Sequence, residues 1–204
     1  VDTFEETCEK LKFLLNDAIT RQLVSDMPLC TFLSGGLDSS IITKFASDYC
    51  EKQGLPPLDT YSIDYVDNDK NFVKSDFQPN SDGFYIDLMN NNLHTNHHKI
   101  VIDTPELADA LEDAMIARDM PGMADIDSSL LLFCKNVKKQ MTVALTGECA
   151  DEIFGGYPWF FREDALKSNT FPWSISLTER QKLLNPYIGC LLYTSPSPRD
   201  KRQS

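Results

Sequence analysis

Residues 31–45 read TFLSGGLDSSIITKF, which joins an apolar run to two glycines, an acid and three serines before helix-like spacing resumes. The apolar residues at 28–33 predict a buried strand, and residues 39–52 predict a helix that packs through Ile41, Ile42 and Phe45. At a strand-to-helix junction, free backbone N–H groups and the positive end of the helix face one point. That point is suited to an anion.

The residue types in this turn point to phosphate as the anion. Gly35 and Gly36 lack a Cβ and permit positive φ, so the backbone can curl around an oxyanion. Asp38 is a candidate ligand for a Mg²⁺ that the phosphates also bind. Three hydroxyl groups are further candidate donors: Ser34, Ser39 and Ser40. The spacing matches neither a Walker A loop nor a dinucleotide-binding loop, and the simplest alternative is an ordinary glycine-containing turn with a serine cap.

Helix and strand signals alternate along the rest of the chain. A capping-box pair, Thr3 and Glu6, predicts the start of a first helix. Its apolar side is predicted to be formed by five residues: Phe4, Cys8, Leu11, Leu15 and Ala18. Further strands are predicted at 58–63, 98–102 and 141–145, with an irregular stretch at 64–83.

Three more helices separate these strands. Two are predicted at 84–92 and 126–139, and the third starts from an N-cap at Thr104, followed by Pro105 in its first turn. The apolar side of this third helix holds Leu107, Leu111 and Met115. Alternating strands and helices favour parallel pairing with right-handed crossovers. We therefore expect an α/β fold: an open, mostly parallel sheet with helices on both faces and ligands bound beyond the carboxyl ends of its strands.

Composition and charge narrow the classes of partner. The 204 residues are 42% apolar and 25% charged, and the formal net charge is −12. This charge opposes binding to nucleic acid or to an anionic membrane surface, so phosphate must be handled locally by backbone amides and a cation. No stretch approaches the roughly 20 continuous apolar residues of a membrane span. We expect a cytoplasmic protein.

Cysteine and histidine spacing support no further site. Six cysteines, without C-x-x-C spacing and several of them among apolar neighbours, indicate reduced thiols in the core and a reducing compartment. His94, His97 and His98 raise the alternative of a zinc site. No thiolate or carboxylate completes a ligand set, so a polar strand entry is the better interpretation.

A second polar segment follows the strand predicted at 141–145. Residues 144–160 read ALTGECADEIFGGYPWF, and Thr146, Gly147 and Glu148 leave the sheet at its carboxyl edge. If this strand neighbours the first, both loops meet there, and Asp38 and Asp151 become candidate Mg²⁺ ligands on either side of a triphosphate. A solvated acidic helix start is the alternative for the second segment alone.

Together these two segments carry a family resemblance. The heptapeptide at 34–40 resembles the pyrophosphate loop (PP-loop) of the ATP pyrophosphatases, which have an adenine nucleotide α hydrolase-like fold, and the pair of segments is very similar to the asparagine synthetases. The resemblance covers essentially residues 1–190. It differs at Cys149 and Ala150, which stand where family members commonly have a Gly/Ser pair.

The resemblance implies a two-step reaction. The side-chain carboxylate of aspartate attacks the α-phosphorus of ATP, giving β-aspartyl-AMP and pyrophosphate, and ammonia then displaces AMP to form asparagine. Glu148 matches the glutamate that accepts a proton in the amide-forming step, and exclusion from water would raise its pKa toward the working range. Leu33 and Ile63 match residues lining the adenine pocket, and Thr146 and Gly147 match residues near the ribose and α-phosphate.

The resemblance also implies partners and leaves alternatives open. Ammonia normally comes from glutamine through an N-terminal glutaminase domain, and we expect this chain, which begins at Val1, not to hydrolyse glutamine itself. The resemblance leaves room for a homodimer. Two alternatives are a fragment that binds ATP·Mg²⁺ without turnover and a related adenylating enzyme such as a β-lactam synthetase.

The end of the chain differs in composition from the rest. Residues 191–204 carry two prolines, and three basic residues against one acid, without helix or strand periodicity. The segment resembles a translated sequencing adaptor. We expect one partial synthetase domain at 1–190 and a disordered, non-native tail at 191–204.

Overall fold

The computed structural model describes residues 2–73, 81–167 and 182. The chain forms two compact units, Val1–Glu148 and Cys149–Ser204. Cys190 and the expected tail at 191–204 lie outside the described residues, so the tail stays a prediction.

The first unit is built on a four-stranded sheet. Its strands are β1 (Leu29–Phe32), β2 (Leu58–Tyr65), β3 (Thr95–Ile102) and β4 (Val143–Leu145). All neighbours pair in parallel, in the order β3-β2-β1-β4. The predicted parallel α/β sheet is therefore confirmed, and so is the expectation that the fourth strand lies beside the first. Because the strand order reverses between β1 and β4, this is where such folds place their ligand.

Seven helices of the first unit are described. They are α1 (Phe4–Gln22), α2 (Leu37–Lys52), α3 (Asn68–Asn71), α4 (Asp82–Asn92), α5 (Thr104–Asp109), α6 (Leu111–Arg118) and α7 (Ala124–Val137). The second unit contains α8 (Ala150–Phe154), a 3-10 turn (Pro158–Phe160) and α9 (Glu163–Leu166). Within the described ranges, none of the helices has both the length and the apolar character needed to cross a membrane.

Buried side chains cover both faces of the sheet. One cluster joins Ile19 of α1, Ala46 of α2 and Leu58 of β2. The other cluster joins Cys30 and Tyr61 of the strands to two residues of α7, Phe133 and Val137. Helices therefore lie on both faces, as expected, and each cluster removes apolar surface from water on its own side.

A buried hydroxyl pair fixes α2 on β1. Thr31 and Thr43 are both fully buried, and their hydroxyl oxygens lie 3.0 Å apart. A buried hydroxyl without a partner is costly, so each threonine satisfies the other at one position along the strand. The pair therefore defines how far α2 extends toward the carboxyl edge of the sheet.

The start of α1 is as predicted, but its buried face is not. Both bonds of the Thr3–Glu6 capping box are present. The packed residues are Ile19 together with half-buried Leu15, whereas Phe4 and Ala18 are exposed. The prediction continued from Leu15 to Ala18, a step of three residues. The contact with α2 instead continues with a step of four residues, to Ile19.

The helix after β3 differs from its prediction at the start and in the middle. Asp103, rather than Thr104, is the N-cap, and it forms a capping box with Glu106. The helix is interrupted at Ala110, which is the N-cap of α6. Ala110 and Ala114 are the residues that become buried, while the larger Leu111 is exposed. Small side chains therefore make the close contact in this region.

The histidines lie on or just before β3, which begins three residues earlier than predicted. His97 has both ring nitrogens in hydrogen bonds, 2.8 Å from the Thr60 hydroxyl and 3.0 Å from the Ser62 hydroxyl. His98 Nε2 lies 2.7 Å from Asp59 Oδ1. These contacts join β3 to β2 and extend the sheet to Thr95.

The thiols are less buried than expected. Among the described cysteines Cys30 is buried and Cys50 is half-buried, while Cys8, Cys134 and Cys149 are exposed. Burial, with a smaller effect of Asp59, raises the pKa of Cys30 to about 12. The prediction of core thiols is therefore correct for Cys30 and wrong for the three exposed cysteines.

Replacing His97 with glutamine is expected to reduce the loss of stability at acid pH. Burial lowers the pKa of His97 in the folded chain, and His98 lowers it further while Asp87 opposes the shift. The unfolded chain therefore binds more protons than the folded chain just below pH 6.5 or so, and the free energy of unfolding falls as the pH drops below that value. Denaturant unfolding between about pH 5 and 8 measures the effect.

The matched control is His94→Gln, because His94 is exposed. This control should keep the acid-side loss of the parent chain. An unchanged pH profile in His97→Gln would contradict the prediction.

Candidate functional site

The predicted phosphate loop connects β1 to α2 at the carboxyl edge of the sheet. Gly35 has a φ of +81°, the left-handed conformation that glycine adopts without strain. Gly36 has a φ of −71° and is the N-cap of α2, so the expectation of positive φ is correct for Gly35 only. Because Gly36 has no side chain, it makes no cap hydrogen bond to the first N–H groups of α2. These N–H groups face the carboxyl edge of the sheet.

Ser39 closes this loop from the inside. Its hydroxyl oxygen accepts from the Ser34 backbone N–H at 3.2 Å and lies 3.0 Å from the Ser34 hydroxyl oxygen. The same hydroxyl donates to the Gly36 carbonyl at 3.2 Å, and Ser39 is only 6% exposed. Ser39 therefore holds the loop in shape, whereas exposed Ser34 and half-buried Ser40 are better placed to meet a ligand.

Helix α4 supports the loop from behind. A Cβ placed on Gly35 would lie 2.8 Å from the Asp82 carbonyl oxygen, 3.2 Å from Tyr85 Cβ and 3.4 Å from Ile86 Cγ1. Sequence reasoning missed this contact because it treated 64–83 as irregular and started the helix at Phe84. The available signal was Ser81 followed by Asp82, since serine is a preferred N-cap residue and an acid favours the first turn.

The second predicted loop meets the first. A Cβ placed on Gly147 would lie 3.0 Å from Asp38 Cβ and 3.1 Å from the Ser39 backbone nitrogen. Gly147 follows β4, which pairs with β1 through Thr31 and Leu145. The backbone after β4 thus packs directly on the first turn of α2, as expected if both segments serve one ligand.

Thr146 and Glu148 flank this contact and are both exposed. The Glu148 backbone N–H donates to the Thr146 hydroxyl at 3.4 Å. Within the part of the chain that the structure describes, no element covers the Glu148 carboxylate. The role of Glu148 as proton acceptor stays a prediction. Exposure leaves the carboxylate accessible to small solutes.

The second candidate metal ligand, Asp151, belongs to the second unit. It lies in the first turn of α8, where a Cβ on Gly156 would meet Asp151 Oδ1. Gly155 ends α8 with a φ of +70°. A side chain at position 156 would therefore require the Asp151 carboxylate to move. The pairing of Asp38 with Asp151 stays a prediction.

No cluster of three or more metal-binding side chains occurs in the described part of the chain. Mg²⁺ does not require such a cluster, because it usually keeps several waters and is held by one or two carboxylates plus substrate phosphates. The half-buried Asp38 carboxylate at the start of α2 fits this kind of coordination.

The two apolar candidates for the adenine pocket differ in position. Leu33 is 1% exposed and continues the alternation of Leu29, which packs on the α1–α2 side. Ile63 packs with Phe133 on the α7 side and lines a cavity of about 540 Å³ with Tyr65 and Leu130. Their side chains lie on opposite faces of the sheet, so the two side chains cannot both contact one adenine ring. At least one of the two residues would have to contact it through its main chain. The adenine assignment stays a prediction.

Comparison with known proteins identifies relatives. The asparagine synthase family model matches residues 10–203. Asparagine synthetase 3 (glutamine-hydrolyzing) of Bacillus subtilis (strain 168) is 56% identical over 184 residues, which is 90% of this chain and 30% of that protein. Asparagine synthetase B (glutamine-hydrolyzing) of Escherichia coli (strain K12) is 28% identical over 165 residues, which is 75% of this chain and 28% of that protein. The chain spans about 30% of the length of these relatives.

A solved structure with a similar chain is NAD+ synthetase from Burkholderia pseudomallei. The TM-score is 0.41 at 11% identity, over 99% of this chain and 74% of that chain. The assignment of the α/β fold rests on the strand order of the sheet rather than on this likeness.

Substitution of Gly35 by alanine is expected to destabilise the chain more than the same change at Gly54. Both glycines have positive φ, +81° and +65°, so each alanine costs about 1–2 kcal/mol in the left-handed conformation. A Cβ on Gly54 meets nothing within 4 Å, whereas one on Gly35 meets the Asp82 carbonyl oxygen. Overpacking should add about 1–3 kcal/mol at Gly35.

Urea unfolding of the two variants measures the difference directly. Gly54→Ala serves as the control for the backbone conformation alone. Equal free energies of unfolding for the two variants would show that α4 does not press on the loop.

Proposed function

The chain belongs to the asparagine synthase family, and from this premise we propose that it forms the ATP-binding part of an enzyme that converts aspartate to asparagine. In the proposed reaction an oxygen of the aspartate side chain bonds to the α-phosphorus of ATP while the bond to the pyrophosphate group breaks. Ammonia then bonds to the activated carbon, and AMP leaves with the oxygen. Ammonia would come from glutamine through an N-terminal domain of the full-length protein, consistent with the glutamine-hydrolyzing names of the relatives.

The observation that carries the proposal is the contact of Gly147 with Asp38 and Ser39. It joins the loop after β4 to the phosphate loop at the place where the strand order reverses. A nucleotide lying across this junction would have its outer phosphates at the start of α2. Its α-phosphate would then lie near Thr146 and Gly147, where the acceptor carboxylate must approach.

The phosphate loop would stabilise the pyrophosphate as it departs. Backbone N–H groups at the start of α2 and the hydroxyl of Ser40 are donors for the negative charge that develops on the leaving oxygens. These donors are held before the reaction, since Ser39 and Gly35 define the loop without a ligand. The chain therefore does not have to reorganise as charge develops.

Asp38 and Asp151 are the residues that we propose to hold Mg²⁺. When bound, the metal would offset the charge of the phosphates. Asp38 follows the N-cap of α2, and the close packing of Gly147 against its Cβ limits how far this side chain can move. The Asp38 side chain thereby starts from a packed position at the carboxyl edge of the sheet.

Glu148 would accept a proton from ammonia in the second step. Nitrogen gains positive charge as it bonds to the acyl carbon, and a nearby carboxylate can take the excess proton. Its backbone N–H is already bound to the Thr146 hydroxyl, which orients the main chain of the loop. The exposure of Glu148 favours one alternative, in which this chain binds ATP·Mg²⁺ without completing the amide.

The 204-residue chain, incubated with ATP, Mg²⁺, aspartate and ammonium, is expected to release pyrophosphate and form asparagine. Pyrophosphate that appears only when aspartate is present would support the proposed acceptor. ATP-dependent thermal stabilisation without pyrophosphate would support the binding-only alternative. Pyrophosphate released with another carboxylic acid, and not with aspartate, would support a related adenylating enzyme.

Two variants separate binding from chemistry. Asp38→Asn should weaken ATP·Mg²⁺ binding about tenfold or more, because a metal ligand is lost, and Asp48→Asn is the control on the same helix.

Glu148→Gln should keep ATP binding and lower asparagine formation about 100-fold or more, with Glu112→Gln as an exposed control. Unchanged asparagine formation in Glu148→Gln would refute the base assignment.

A further inference from the structure

Helix α4 has two different surroundings on its two sides. On one side its first two turns touch Gly35, with Ile86 Cγ1 at 3.4 Å and the Asp82 carbonyl oxygen at 2.8 Å from the position of a Cβ. Toward the strands is a cavity of about 360 Å³, which Ile86 and Asp82 line together with residues of β2 and β3 and with Asn68 and Phe72. Ile86, which is 7% exposed, therefore stands between the phosphate loop and an internal space.

Two polar residues of the strands that line the cavity form hydrogen bonds to neighbours outside α4. Asp64 already forms an ion pair with Lys99 at 2.5 Å and accepts from the Asn68 amide at 2.8 Å. These bonds hold the pKa of Asp64 below its usual value despite the opposing effect of burial. His97 is likewise bound through both ring nitrogens to the hydroxyls of Thr60 and Ser62. Asp82 and Asp87 of α4 face the same cavity, and Asp87 raises the pKa of His97 against the effect of burial.

Apolar packing is a separate constraint on this part of α4. Ile86 is the buried apolar residue of the helix, whereas Phe84, Tyr85 and Leu88 are exposed. A branched side chain at this position fills the gap behind Gly35 with little rotamer freedom. Without it, the cavity would extend to the back of the loop.

We propose that Ile86 is a positioning residue for phosphate binding: it keeps the first turns of α4 pressed against Gly35 and so preserves the curvature of the loop. This inference rests on the proposed function, because it assumes that the loop binds the phosphates of ATP. Gly35 is held at a φ of +81° by contact on one side with α4 and by the Ser34–Ser39 hydrogen bonds on the other. Loss of the α4 contact would leave the hydrogen bonds alone to fix the direction of the N–H groups.

The expected consequence concerns affinity more than folding. Ile86→Ala removes three methyl or methylene groups next to an existing cavity, so the loop gains room to move away from its binding conformation. A small displacement of several donors weakens all their bonds to one anion together. We expect the dissociation constant for Mg²⁺-pyrophosphate to rise about tenfold in Ile86→Ala and about two- to threefold in Ile86→Val.

The test measures Mg²⁺-pyrophosphate binding to the 204-residue chain by calorimetry, with circular dichroism to verify folding. Ile19→Ala is the matched control, because Ile19 is 6% exposed and packs on α2 in a cluster away from the loop. This control should lose stability and keep the parent affinity within about twofold. Hydrogen exchange gives a second readout: pyrophosphate should slow exchange in α4 of the parent and not of Ile86→Ala.

The outcomes separate the two levels of the proposal. If the parent chain binds neither pyrophosphate nor ATP with Mg²⁺, the proposed function fails and the role of Ile86 fails with it. If the parent binds and Ile86→Ala and Ile19→Ala bind equally well, only the positioning role is overturned. If Ile86→Ala does not fold, Ile86→Val decides, and an affinity equal to that of the parent overturns the role.

Discussion

The close approach of Gly147 to the first turn of α2 is the constraint on which the proposed site depends. Two segments far apart in sequence are brought together because β4 pairs with β1, and both loops therefore leave the same edge of the sheet. A Cβ at position 147 would already lie 3.1 Å from the Ser39 backbone nitrogen. The absence of a side chain lets the second loop pass over the helix terminus, close enough for both loops to serve one small ligand.

The proposed phosphate loop has no basic side chain of its own. The segment 34–40 contains no Lys or Arg, and Lys44, the first cation of α2, forms an ion pair with Asp48. In the proposed site, backbone N–H groups at the helix start and a cation bound with the ligand would supply positive charge. This makes the position of α2 decisive, and the buried Thr31–Thr43 hydroxyl pair sets that position on β1.

Most of the fold could be predicted because local patterns agree with it. Runs of apolar residues predicted the strands, and a capping box predicted the start of α1. The alternation of strands and helices predicted parallel pairing. Where prediction failed, tertiary contacts decided instead. Ala110 and Ala114 became buried because small side chains fit a close helix contact, and β3 extends to Thr95 because His97 finds two hydroxyl partners on β2. Neither effect has a signal in the hydrophobic pattern.

The sequence was enough to predict which residues belong to the candidate site, but less of their backbone geometry. Residue types at 34–40 and 146–148 indicated phosphate chemistry, but nothing in them indicates which glycine takes positive φ. That choice belongs to Gly35 because α4 occupies the space that its side chain would need. Gly36 instead has the extended conformation of an N-cap, which residues with side chains also adopt.

Cys149, the residue after Glu148, also has a backbone conformation that depends on its surroundings. Cys149 has a φ of +69° although it carries a side chain, and a non-glycine residue in this conformation costs about 1–2 kcal/mol. Its side chain makes no cap bond to α8 that would offset this cost. Such a conformation persists only where the rest of the chain imposes it. The backbone conformation at Cys149 is therefore imposed by the fold and not by the residue itself. Residue preferences alone would predict a different conformation at this position.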